Sequence, residues 1–174
     1  MTEALRIHEA FKKGDLDALR LEVGDLPGFP NCEIPHVGAH CLEYAIYHSP
    51  RQFVKVLVEE GADPDYGGHA GFPSIIAALS VDREDRYELI EFFISAGADI
   101  EQRGINDYTP LHYAAARNDR VAIKLLVSAG ADLTARTRID DFATPLEEAE
   151  LLGCGEAARI LRELTRKPNE RSGA

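Results

Sequence analysis

The phrase Thr109-Pro110-Leu111-His112-Tyr113-Ala114-Ala115 is followed, sixteen residues after Ala114, by Gly130-Ala131-Asp132, and related phrases recur along the chain at a near-constant interval. The small residue that opens each unit falls at Ala10, Ala45, Ala77, Ala114 and Ala149, intervals of 35, 32, 37 and 35. A chain written this way must stack its units, because none can bury its own apolar face alone. Its function then becomes a question about an exposed surface.

Sixteen residues after Ala45 stands Gly61-Ala62-Asp63, but Gly97-Ala98-Asp99 arrives four residues late after Ala77, so the third unit carries an insertion. It lies within Ser80-Val81-Asp82-Arg83-Glu84-Asp85-Arg86, whose alternating charges lead us to expect a solvated loop that tolerates shortening. Apolar quartets recur as Phe53, Val54, Val56, Leu57; Leu89, Ile90, Phe92, Phe93; Ala122, Ile123, Leu125, Leu126; and Ala157, Ala158, Ile160, Leu161. That spacing is helical, with one buried face.

Thr109 is a good N-cap, and Pro110 at the first helical position lacks only a donor the helix cannot use there. Thr144-Pro145-Leu146-Glu147 repeats the device and adds a capping-box glutamate. Gly61, Gly97 and Gly130 stand where the second helix of a unit must stop. Over roughly residues 3–165 the chain resembles the ankyrin repeat: a finger-like turn, a helix opened by Thr-Pro-Leu-His, a second helix, and a Gly-Ala-Asp exit. The resemblance implies an all-α solenoid of about five helix-turn-helix units joined by finger-like β-turns. We expect one domain over 1–166, with units at about 3–37, 38–68, 69–105, 106–139 and 140–165, and a flexible tail at 167–174.

The departures lie at His40-Cys41-Leu42-Glu43 and Phe72-Pro73-Ser74-Ile75, where helix starts are less well marked, and at Glu22, which replaces a buried leucine. A polar outer helix suits an N-terminal cap, and Arg159, Arg162 and Arg166 suit a C-terminal one.

The 174 residues, 45% of them hydrophobic, are enough for a continuous core. No secretion signal or bilayer-length apolar run is written here, and three scattered cysteines fit a reducing compartment, so a cytoplasmic monomer is expected. A net charge of −11 disfavours nucleic acid and anionic membrane.

No phosphate-binding glycine loop, nucleophile elbow or His-Glu-x-x-His helix occurs. Cys32, His36, His40 and Cys41 hold four possible zinc ligands within ten residues, but the repeat register gives His40 and Cys41 cap and core places instead. His112 and His8 take the position at which the family's histidine tethers neighbouring repeats. We therefore expect no enzyme, no cofactor and no metal.

By position in the family, partner contacts fall on fingers and exposed first-helix faces, and the resemblance implies a protein partner. It places them at Tyr66, His69, Arg103, Ile105, Asn106, Tyr108, Arg117, Arg136, Arg138, Asp140 and Asp141. Ile105-Asn106-Asp107-Tyr108 and Ile139-Asp140-Asp141-Phe142 occupy consecutive fingers, each preceded by arginine. Either the Asp shapes each turn and the aromatic packs on the next finger, or the tips touch a partner; both can hold. Tyr108 stands at the centre, and its truncation is expected to spare stability. An immunity- or antitoxin-like inhibitor of a basic enzyme, and a small Cys/His metal protein, remain as alternatives.

Overall fold

The computed structural model describes residues 2–66, 72–139 and 141–166. Contacts divide the chain into two compact units, one ending at Asp99 and one beginning at Ile100. The division falls at the Gly97-Ala98-Asp99 phrase. Among the described residues the fold is mostly helical, and no helix is long and apolar enough to cross a membrane.

In the first unit, α1 (Glu3–Lys13) and α2 (Leu16–Val23) form one helix pair, α3 (Cys41–His48) and α4 (Arg51–Glu59) a second, and α5 (Ser74–Ser80) and α6 (Arg86–Ser95) a third. A two-residue hairpin, β1 (Glu33–Ile34) against β2 (Ala39–His40), pairs Glu33 with His40 and Ile34 with Ala39. The opening helices α1, α3 and α5 pack in a row. In the second unit, a 3-10 turn at Ile105–Asp107 precedes α7 (Pro110–Ala116) and α8 (Arg120–Ser128), then α9 (Pro145–Leu151) and α10 (Gly155–Arg166). Here α7 packs against both α8 and α9.

The apolar quartets sort by position. Their first, second and fourth members are buried: Phe53, Val54, Leu57; Leu89, Ile90, Phe93; Ala122, Ile123, Leu126; Ala157, Ala158, Leu161. The third members Val56, Phe92 and Leu125 are half-buried at the edge of that face, where Lys55 Nζ sits 5.3 Å from the centre of the Phe92 ring. Each fully buried Leu, Ile or Phe contributes about 1.5–3 kcal/mol relative to leaving it exposed. That repeated burial, more than helix propensity, holds seven- to twelve-residue helices together.

Helix boundaries follow the capping chemistry. Thr109 and Thr144 each close a capping box, the first with His112 in the role Glu147 plays in the second. His40 and Pro73 precede α3 and α5 without a side-chain cap, yet α3 still begins at Cys41, four residues before Ala45. Gly61 and Gly130 follow the C-cap residues Glu60 and Ala129 and adopt φ of 98° and 101°, a region that penalises any Cβ. The aspartates that follow turn the chain: Asp63 Oδ1 accepts from Asp65 N at 2.9 Å, and Asp132 Oδ1 from Thr134 N at 2.8 Å.

Successive fingers are tied by side chains of one that satisfy backbone groups of the next. Asn31 donates to Gly61 O at 2.8 Å and accepts from Asp63 N at 2.6 Å; Asp65 accepts from Asp99 N at 2.8 Å. In the second unit, Glu101 accepts from Asp132 N at 2.8 Å. Glu22, polar where leucine was anticipated, is held by Arg6 at 2.7 Å.

The insertion departs from the sequence expectation. Arg83 has only 18% of its side chain exposed and donates to Ile46 O at 2.9 Å and Ser49 O at 3.0 Å, while Asp85 holds the same guanidinium at 2.5 Å. The loop therefore satisfies the carbonyls at the end of α3, groups that the end of a helix leaves without a partner. Charge alternation read as solvation because sequence does not reveal which arginine turns inward.

Candidate functional site

The second unit carries most of the side chains that the sequence singled out, in two consecutive fingers. The first finger reverses at Asn106 and Asp107, with φ of 57° and 58°, a left-handed pair that Asn and Asp tolerate better than most residues. Gly104 N donates to Tyr108 O at 2.9 Å and closes the loop. Arg103 braces it from within, donating to Asp107 O at 2.9 Å and to the Asp107 carboxylate at 2.8 Å.

Asp107 also reaches the second finger. It accepts from Arg138 N at 2.6 Å and from the Arg138 guanidinium at 3.0 Å, and its side chain is only 9% exposed. The Arg138 hydrogen bond, with the Arg103 and Arg138 charges, brings its carboxyl down to about 2. The second finger has its own frame. Thr137 N donates to Ala143 O at 3.0 Å, Ala143 N donates to Thr137 Oγ1 at 3.0 Å, and Arg136 bridges Phe142 O at 2.8 Å to the Glu147 carboxylate at 2.8 Å.

The repeated finger phrase produces two different side-chain outcomes. Tyr108 immediately precedes its capping threonine, lies half-buried on the His112 ring at 5.7 Å, and donates its hydroxyl to Glu148. Phe142 precedes Thr144 by two residues, because Ala143 intervenes; it adopts φ of 50° and is 57% exposed. Measured from the caps, Phe142 matches Asp107 and the buried Ala143 matches Tyr108. The two phrases are offset by one residue against the helices they precede, and that slip turns one aromatic inward and the other outward.

His112 is fully buried and joins the fingers to the helices. Its Nε2–H donates to Ala143 O at 3.0 Å, so Nδ1 is the acceptor, 2.8 Å from Thr109 Oγ1. Burial first of all lowers its pKa. This is a tether within the repeat stack. His8, at the matching place in α1, instead meets the Tyr44 hydroxyl at 2.8 Å and the His48 ring at 5.4 Å.

Arg103, Ile105, Asn106, Tyr108, Arg136, Arg138 and Asp141 thus come together on the two fingers. Ile105 is 45% exposed, and Asn106 and Asp141 are exposed. Arg117 stands apart: it caps the far end of α7, about 10 Å along the helix from the fingers, over the Tyr113 ring at 5.8 Å. Tyr66, chosen as partner-facing, is buried at 3% exposure; it stacks on His40 at 4.4 Å and donates to Phe72 O at 2.8 Å, so it offers a partner no surface. His69 and Asp140 lie outside the described residues.

Ile139 and Phe142 in the second finger, 47% and 57% exposed, and Leu151 on α9, 62% exposed, add apolar surface to these side chains. The one-residue offset from the Thr-Pro caps is the signal that separates Phe142 from Tyr108. In the first unit, Cys41 is buried, Cys32 half-buried and His36 lies 3.5 Å from Glu3. Among the described residues no three His, Cys, Asp or Glu side chains converge as metal ligands.

The family pattern described as "Ankyrin repeats (3 copies)" matches residues 75–172. The chain is similar to ankyrin repeat protein OPG189 of Variola virus, 33% identical over 119 residues, 64% of this chain and 21% of that protein. It is also similar to a putative ankyrin repeat protein of Rickettsia felis, 34% identical over 95 residues, 55% of this chain and 24% of that one. To the RelA-associated inhibitor of Mus musculus it is 32% identical over 97 residues, 56% of this chain and 11% of that protein. The chain thus matches a quarter or less of the length of each of these relatives.

Proposed function

The chain belongs to the ankyrin-repeat family, whose repeats serve as protein–protein interaction modules, and from that premise we propose that it binds a partner protein through the fingers of its second unit. The observation that carries this reading is the contrast at those fingers between committed charges and exposed apolar tips. Arg103 and Arg138 are held by Asp107, and Arg136 by Glu147, so the loops are braced by their own ion pairs. Ile105, Ile139 and Phe142 are then presented on a stiff frame, and a surface ordered before binding loses less entropy on association.

In this reading the arginines named from the sequence shape the surface more than they grip the partner. The chain works as a monomer without a catalytic role, and its free cysteines suit the cytoplasm. An immunity- or antitoxin-like inhibitor is a narrower version, resting on the net charge of −11.

The test is quantitative affinity capture with the wild-type chain and with Ile139→Ser/Phe142→Ser. Both substitutions lie on exposed side chains, so circular dichroism should be unchanged. Proteins captured by the wild type and lost with the variant identify the partner. Equal capture by the two would place the interaction elsewhere and end this assignment.

A further inference from the structure

Two open clefts of about 500 Å³ each run from the fingers onto α9, and Asp141 lines both. The finger end is walled by Tyr108, Ile139 and Glu148; the helix end by Arg136, Ala143, Glu147, Glu150 and Leu151. Of the charged side chains that line the pair, Asp141, Glu147, Glu148 and Glu150 are acidic, and Arg136 alone is basic. That arginine is bound to Phe142 O and Glu147, Glu148 accepts from Tyr108, and Glu150 is held by Arg162 at 2.5 Å, which leaves Asp141 as the carboxylate open to a partner. Asp141 is exposed, with no hydrogen-bond or ion-pair partner among the described residues. Two large apolar side chains, Ile139 and Leu151, stand 47% and 62% exposed along the same clefts.

Resting on the interaction reading above, we infer that this finger–α9 groove receives a segment of the partner protein in which lysine or arginine stands beside a large apolar side chain. The physical case is complementarity on two counts. A cation entering beside Asp141 meets an exposed carboxylate with no partner among the described residues, in a chain whose net charge of −11 adds to the attraction. An apolar neighbour covering Leu151 or Ile139 removes from water surface that the fold leaves exposed. Phosphate-bearing ligands are opposed by the same carboxylates, within a chain of net charge −11.

The experiment selects displayed random dodecapeptides on the immobilised full-length chain, then measures enriched peptides by fluorescence anisotropy. The expected winners combine basic and large apolar residues. Asp141→Asn and Leu151→Ser should each weaken them about tenfold, and Val121→Ser, an exposed change on α8, should leave Kd unchanged. Raising salt from about 0.1 to 0.5 M should weaken binding further, because exposed charge pairs are screened. Enriched peptides that lack basic residues but still respond to Leu151→Ser would overturn the inference while leaving the fingers as an interaction surface. Peptides indifferent to both groove substitutions would also overturn the inference. Failure of any peptide to enrich would overturn the inference, while the affinity-capture comparison separately decides whether the fingers bind a partner.

Discussion

Tyr108 donates to Glu148, whose residue is 8% exposed, so the ring joins the first finger to α9. The expectation that truncating it spares stability is thereby reversed. Tyr108→Phe removes only the hydroxyl, yet leaves a buried carboxylate without that donor, and urea unfolding should show a loss of about 1–3 kcal/mol. A change below about 0.5 kcal/mol would mean that solvent replaces the hydroxyl at no cost. His112 makes a second prediction. Because burial lowers its pKa in the folded state, the unfolded chain takes up the proton first as pH falls through about 6.5, and stability declines in that direction. His40 and His48 are shifted the same way, so the decline has several sources. His112→Gln should therefore lower Tm at about pH 7.5 and make the fall towards pH 5.5 shallower, without abolishing it. Thermal melts at three pH values decide; an unchanged slope would remove His112 from the account. Acidic groups held low, Asp107 foremost, add a separate loss nearer pH 3.

The loop between α5 and α6 shows how an insertion becomes part of a neighbouring helix. Arg83 satisfies Ile46 O and Ser49 O, and Asp85 holds its guanidinium in place. Loop entropy alone makes a four-residue trim nearly neutral, since doubling a loop costs only about 0.6 kcal/mol. Hydrogen bonds to a charged group are larger, at about 1.5–3 kcal/mol. Arg83→Ala should therefore destabilise by about 1–3 kcal/mol, whereas Glu84→Ala in the same loop should change stability by less than about 0.5 kcal/mol. Equal, small effects in chemical denaturation would return the loop to the solvated role its sequence implies. The fingers teach the same lesson from another side: Asp107 serves both fingers, and only the meeting of two loops 31 residues apart reveals it.

For the molecule as a whole, the excess of 30 acidic over 19 basic side chains sets what it repels. Duplex DNA should not be bound at about 0.15 M salt, because no basic footprint is available to release counterions. A gel-shift midpoint in the micromolar range would contradict this.

The helix pairs, their caps and their buried faces were legible because each rests on short-range chemistry repeated in register. A Thr-Pro start, a glycine exit and apolar residues three and four apart need only their own turn of helix to be understood. The tertiary structure decided what depends on distant partners. It turned Tyr66 and Tyr108 inward, left Phe142, Ile139 and Leu151 at the surface, bound the finger arginines to Asp107 and Glu147, and brought Arg83 onto α3. Exposure and pairing are sums over neighbours from other repeats, and a one-residue slip against a helix cap is enough to exchange a packed aromatic for an exposed one.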